Sequence, residues 1–265
     1  MSKLIHPELS YQVRGALLEV YNTLGPALKE TFYRDAISIE LSQRGIPSER
    51  EKAFQVYYQE EQVGLYYVDL WIDGGKILAE LKVAPQIEPL HKAQAISYLK
   101  VTDADLAIVA NYGNSSLEDI RLPNFLRERR NEFVWSDQKI WEDELYPVLL
   151  NALLRTCHLV HFRLGPGFLH QVYRRATMIE LRHHRLNYEY IKHLSIRYKE
   201  QVLGEQNVRL ILVEGKVALA AFAVKHSLTP LRAQLNVYLQ QLQLPLGILA
   251  NFYGKRPEIA LVHNK

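Results

Sequence analysis

The chain has 265 residues, 48% hydrophobic and 23% charged, an ordinary globular composition that argues against intrinsic disorder, a collagen-like repeat or a disulfide-stapled miniature fold. Its 32 Lys and Arg against 29 Asp and Glu leave +3, which taken alone selects no anionic partner, and the single cysteine, Cys157, has no internal partner for a disulfide. No apolar run approaches the ~18 residues of a membrane span, so no membrane partner and a cytoplasmic setting are expected.

Apolar residues recur at helical spacing from Ser10 to Tyr21 and from Leu28 to Arg44, with Gly25-Pro26 between them. Three strand patterns follow: Ala53 to Tyr58, Val63 to Ile72 and Lys76 to Ala84. A helix is expected from Leu90 to Lys100, and the apolar run Asp105 to Ala110 reads as a buried strand. Leu117 to Lys139, holding Arg127, Arg129 and Arg130 with no sustained apolar periodicity, reads as a charged connection.

Then the pattern begins again. Leu24-Gly25-Pro26 recurs as Leu164-Gly165-Pro166, Tyr33 as Tyr173, Gly75-Lys76 as Gly215-Lys216, Tyr98-Leu99 as Tyr238-Leu239 and Ala110-Asn111 as Ala250-Asn251, each pair 140 residues apart. The predicted architecture is α/β: two tandem domains, each a central mixed sheet flanked by helices with an αβββαβ core. The expected boundaries are 1–116 and 141–265, joined by a linker over 117–140.

Between the second and third strands lies Asp73-Gly74-Gly75-Lys76, whose glycines tolerate the positive φ of a tight hairpin turn. If Asp73 faces Lys76, Asp69 lies directly opposite Glu80, with Cβ atoms ~5 Å apart, and Lys82 points to the same face. Glu30 shares a helix stripe with Tyr33, Ile37 and Leu41 and is expected to point inward. Converging acids have two readings: oxygen ligands for a hard divalent cation, or a solvated sheet face with Lys82 in a cross-strand ion pair. A lysine beside two metal-binding acids suits phosphodiester hydrolysis, because it can orient and help deprotonate a water. Gln94 and Tyr98 lie four residues apart on one helix face, with His91 three before Gln94. They line a phosphate- or metal-facing edge, or else Tyr98 belongs to the core and Gln94 bonds locally.

Asp69 with Glu80-Leu81-Lys82 resembles the D…ExK signature of the PD-(D/E)xK nuclease superfamily. Leu24-Gly25-Pro26, Glu30-Thr31-Phe32-Tyr33, Arg44-Gly45-Ile46-Pro47, Pro89 through Gln94 and Tyr98-Leu99 resemble the GxxExxY family within it. The likeness covers most of residues 7 to 113. Ala27 stands where the name motif has its first glycine. The resemblance implies a restriction-endonuclease-like core with Glu30, Asp69 and Glu80 as metal-site acids and Mg²⁺ or Mn²⁺ as cofactor. Lys82 would be the catalytic lysine, Gln94 an accessory polar group, and Tyr33, Tyr98 and His91 possible accessories.

A constant offset of 140 turns Glu30 into His170, Asp69 into Arg209, Glu80 into Ala220 and Lys82 into Phe222, so the second domain is expected to be a pseudo-nuclease without oxygen ligands. Residues 1–140 hold 16 basic against 20 acidic residues and the rest 16 against 9, a division into −4 and +7. The basic half is suited to phosphate contacts on a nucleic acid that the acidic half cuts. The alternative is a non-catalytic nucleic-acid-binding or protein-interaction module with a relic site. The two copies are also candidates for an intramolecular pseudo-dimer.

Overall fold

The structure, a computed structural model, describes residues 5–125, 132–136, 141–225 and 228–264. Helix α1 (Pro7–Leu24) starts on a proline, whose fixed φ and missing N–H suit a first helical turn. Its stripe of Val13, Ala16, Leu17 and Val20 packs on Tyr33, Ile37 and Leu41 of α2 (Glu30–Gln43). The same core takes Ile77, Ala79 and Leu81 from β3 (Ile77–Lys82) and Leu106, Ile108 and Ala110 from β4 (Leu106–Asn111), alternate residues of one sheet face.

With β1 (Ser48–Tyr58), β2 (Glu61–Ile72) and β5 (Glu118–Pro123), these strands form a sheet in the order β1-β2-β3-β4-β5. Strands β3 and β4 run parallel, so a crossover must join them, and α3 (Pro89–Thr102) supplies it. The β2–β3 and β4–β5 pairs are antiparallel. Tyr98 of α3 stacks on Tyr66 of β2 with ring centroids 3.9 Å apart.

The order repeats as α4 (Pro147–Leu164), α5 (His170–His183), β6 (Tyr188–Tyr198), β7 (Gln201–Val213), β8 (Val217–Phe222), α6 (Thr229–Leu242), β9 (Leu246–Asn251) and β10 (Glu258–His263). These strands form a second sheet, β10-β9-β8-β7-β6, with β8 and β9 parallel. The chain falls into two units, Met1–Tyr57 with Gly64–Glu132 and Tyr58–Val63 with Phe133–Lys265. The repeat extends to single hydrogen bonds. The Tyr33 hydroxyl donates to Gly25 O at 2.7 Å and accepts from Leu28 N, as Tyr173 does with Gly165 O at 2.8 Å and Phe168 N. Asn111 grips both backbone groups of Ala84, and Asn251 those of Val224.

Two expectations need correction. Helix α2 starts at Glu30 rather than Leu28, because the Tyr33 hydroxyl satisfies the Leu28 amide outside the helix. The expected linker over 117–140 begins in a strand: β5 pairs antiparallel with β4, from Asn111 opposite Glu118 to Leu106 opposite Pro123. As an edge strand it can carry charge, its Asp119 pairing with Arg14 at 2.8 Å and its Arg121 bonding Ser10 Oγ. The repeat held the signal, since Glu118 lies 140 residues before Glu258, where β10 starts. Arg127, Arg129 and Arg130 lie outside the described residues. Among the described residues, no helix is long and apolar enough to cross a membrane.

Ala27 holds a φ of 66°, and the matching residue of the second copy, Gly167, one of 114°. A left-handed alanine costs ~1 kcal/mol or more that glycine does not. Ala27→Gly should therefore stabilise the chain by about 1 kcal/mol, read as a raised urea midpoint; an unchanged or lowered midpoint contradicts it.

Candidate active site

A short 3-10 turn, Asp73–Gly75, joins β2 to β3, with φ of 48°, 66° and 98° at Asp73, Gly74 and Gly75. The ladder pairs Ile72 with Ile77, Trp71 with Leu78 and Leu70 with Ala79. One step further in that register Asp69 faces Glu80, as the turn arithmetic predicts. Leu70, Ile72, Ala79 and Leu81 belong to the core under α1 and α2, so alternation turns Asp69, Glu80 and Lys82 to the face that α3 covers.

The three side chains are tied into the sheet and to one another. Asp69 Oδ2 accepts from the Leu81 amide at 2.9 Å, and Glu80 accepts from the Tyr66 hydroxyl and from Lys82 Nζ at 3.4 Å. Glu80 is 4% exposed, while the Lys82 side chain keeps 21% of its surface open to solvent. Burial, then the neighbouring Asp69, raises the Glu80 carboxyl to about 7 against the opposing pull of Lys82 and the Tyr66 hydrogen bond. Asp69 is raised too, chiefly by burial. Burial acting alone would lower Lys82, but Glu80, Glu30 and Asp69 outweigh it and raise the amine, which therefore stands in this site as a cation.

A buried and a half-buried carboxylate on one face repel each other, and a hard cation would relieve that repulsion. The donors fit one: Mg²⁺ commonly takes one or two carboxylates and retains waters at its other positions. Asp69 and Glu80 supply that pair. Among the described residues, no three His, Cys, Asp or Glu are grouped into a ready-made metal cage. Nor is Glu30 directed into the core as expected. It is the first residue of α2 and is exposed, its Oε1 accepting from the Val83 amide at 3.2 Å, one residue past Lys82.

The other expected residues divide. His91 accepts the Glu88 amide on Nδ1, which closes the first turn of α3 and makes it a helix-capping residue. Tyr33 is fully buried, stacked on Tyr112 at 4.1 Å, and latches the loop ahead of Glu30. Tyr98 touches the site through the Tyr66 ring, and Gln94, half-buried, sits one turn before it. Tyr66 is the residue that sequence reasoning missed. Strict alternation gives it the parity of Leu70 and Ile72, the opposite face. The available hint was its place in the Tyr-rich run ahead of Asp69.

The second unit differs by more than substitution. There Ile211 pairs with Leu219 and Val213 with Val217, one residue out of step with the first copy. One step further, Leu210, not Arg209, faces Ala220. Both belong to an apolar cluster with Leu235 and Tyr238, and Phe222 packs against it. The constant offset misplaces Arg209 because the turn before β8 is one residue shorter and β7 one longer.

The raised Glu80 carboxyl has a thermodynamic consequence. A carboxyl that binds its proton more tightly folded than unfolded costs stability as pH rises from its ordinary value, near 4.5, to about 7, at ~1.4 kcal/mol per pH unit at most. In EDTA, thermal stability should fall over that window and level off above it, and Glu80→Gln should flatten the decline. Tyr66→Phe removes a hydrogen bond that favours the ionised form, so the decline should extend to higher pH. Melting curves of equal slope in all three proteins would contradict this.

A family model of the PD-(D/E)XK nuclease superfamily matches residues 7–122 and 148–262. Among solved structures, the crystal structure of SSO0001 is similar at 13% identity over 43% of this chain and 76% of that one, with a TM-score of 0.25. No curated protein matches.

Proposed function

This chain belongs to the PD-(D/E)XK nuclease superfamily, and from that premise we propose that its first domain is a divalent-metal-dependent nuclease and its second a non-catalytic partner domain. Membership carries nucleic acid as the substrate class and a divalent cation as the general cofactor. The observation that carries the reading is the convergence of Asp69, Glu80 and Lys82 on one sheet face, set against Leu210, Ala220 and Phe222 on the equivalent face of the second domain.

In this reading Asp69 and Glu80 hold Mg²⁺ or Mn²⁺, which when bound polarises the phosphoryl group. Lys82, kept protonated by the acids around it, donates to the attacking water or to a phosphoryl oxygen and stabilises the charge that develops there. Tyr66 fixes the Glu80 carboxylate, and Glu30 fixes the chain leaving β3 through the Val83 amide. Gln94 and the Tyr66–Tyr98 stack form the α3 side of the site. Placement in the GxxExxY family belongs to the same reading, supported by Glu30-Thr31-Phe32-Tyr33 and the latch that Tyr33 makes. A cytosolic setting fits too, since the lone Cys157 is buried and its thiol pushed up to about 12 by burial, which leaves it neither a crosslink nor a nucleophile.

The test incubates the full chain with DNA and RNA in Mg²⁺, Mn²⁺ or EDTA. Cleavage in either metal and none in EDTA is the expected result. Binding without cleavage in every condition would overturn it in favour of a binding module with a relic site.

A further inference from the structure

Away from the face just described, the second unit holds a cavity of about 510 Å³ between α5 and the β6–β7 pair. Arg174, Arg175, Lys192 and Arg209 line it with Tyr190 and Asn207, and no Asp or Glu among the described residues does. Arg174 is 4% exposed and its side chain is hydrogen-bonded to Tyr190, yet among the described residues its Nε has no hydrogen-bond partner and no carboxylate pairs with it. Burying a guanidinium without a counter-ion is costly, so an arginine kept in that state calls for an anion.

The first copy is an internal control. Its matching residue, Arg34, also leaves Nε without a hydrogen bond, but its guanidinium has counter-ions: Glu51 at 2.6 Å and Asp35 at 3.6 Å. At 140 residues' remove those acids are Ile191 and Arg175, so the buried arginine persists while its counter-ions are lost, one of them to another cation. A backbone device adds a further charge. Ile191 pairs with Leu210 and His193 with Asn207, so Val208 and Arg209 together oppose Lys192 alone. That is a β-bulge, and Arg209 at its centre takes a φ of 58°. Bulges re-aim side chains, and this one contributes Arg209 to the cavity rather than to the apolar cluster that holds Leu210. Nearby His170 is lowered by burial and then by Arg174 and Arg209, as a strongly positive neighbourhood requires.

We propose that this cavity is a phosphate site that takes the phosphate monoester of a nucleotide, free in solution or at the end of a nucleic-acid strand. Guanidinium forks match phosphate oxygens in pairs, and the lysine adds a point charge. The volume lies within the range of small-ligand pockets, and Tyr190, with Lys192 Nζ 6.0 Å from its ring centre, offers an apolar surface beside the charges. The proposal does not rest on the nuclease reading, since none of Asp69, Glu80 or Lys82 takes part in it.

The test is calorimetric titration of the full chain in EDTA with adenosine 5′-monophosphate against adenosine, and with a short single strand bearing a 5′-phosphate against the same strand without it. Arg209→Gln and Lys192→Gln alter exposed residues and spare the buried Arg174, with thermal melts as the check on folding. The expected result is that phosphorylated probes bind and each variant weakens them by roughly tenfold. Gain on the monophosphate alone assigns a free nucleotide, and gain on the phosphorylated strand alone assigns a strand end. Equal binding of phosphorylated and unphosphorylated probes in both arms, or wild-type affinity in both variants, overturns the proposal. Because metal is absent throughout, either result leaves the nuclease reading untouched.

Discussion

Glu80→Gln in the full chain should lower metal-dependent cleavage by roughly 10²–10⁴-fold, the range typical of removing one positioned catalytic group. The substitution keeps the shape of a side chain that is almost wholly buried and keeps an acceptor for the Tyr66 hydroxyl, so it removes charge with little loss of packing. The metal pair would be left with Asp69 alone. Lys82→Ala should cost a similar factor by a different route, since it removes the cation that Glu80, Glu30 and Asp69 hold protonated. The two variants separate on metal titration. Glu80→Gln should raise the metal concentration needed for half-maximal activity, whereas Lys82→Ala should leave that midpoint near the wild-type value and lower only the plateau. Phe222→Ala, at the Lys82 position of the second copy, supplies the control and should cleave as wild type does. Residual activity within a few-fold of wild type in either first-domain variant would sink the assignment of this face as the active site.

Gly75→Ala should be the most damaging single-methyl change in the first domain. A Cβ at Gly75 would lie 2.1 Å from Trp71 Cζ2 and 2.6 Å from Cη2, and its φ of 98° suits no L side chain. Trp71 is itself buried at 7% exposure and packed on Phe54 at 4.7 Å, so the ring has no free direction in which to retreat. Backbone strain and overpacking together cost ~2–5 kcal/mol. Gly74→Ala is the matched comparison: its φ of 66° carries the strain, but nothing lies within 4 Å of the added methyl, so about 1 kcal/mol is expected. Urea unfolding of both variants checks the difference. Equal midpoints would show that the Trp71 contact does not hold the turn. This turn sets the β2–β3 register, so a Gly75→Ala chain that still folds should also lose cleavage through a misplaced Asp69.

Most of the fold was legible in the sequence. Helices α1 to α3 and strands β1 to β4 follow from periodicity, and the 140-residue repeat announced two copies of one domain. The pairing of Asp69 with Glu80 was legible as well, because a hairpin turn transmits register over only a few residues. Strand β5 was not, since a charged edge strand looks like a linker until its partner β4 is in place. Tyr66 was missed for a related reason: which face a residue of a long twisted strand serves depends on what packs against it, here Tyr98 from α3.

By itself, then, the sequence determined what local chemistry controls: element types, the duplication, the turn, and the loss of acids at the positions matching Glu30 and Glu80. Only the tertiary structure decided which residues meet. It set Glu30 at the exposed start of α2 as the acceptor for the Val83 amide, placed Leu210 rather than Arg209 opposite Ala220, and used the displaced Arg209 to complete a cationic cavity around Arg174. A constant offset cannot see a one-residue slip, because an added residue in β7 and a missing one in the next turn cancel in sequence but turn side chains to opposite faces of a sheet.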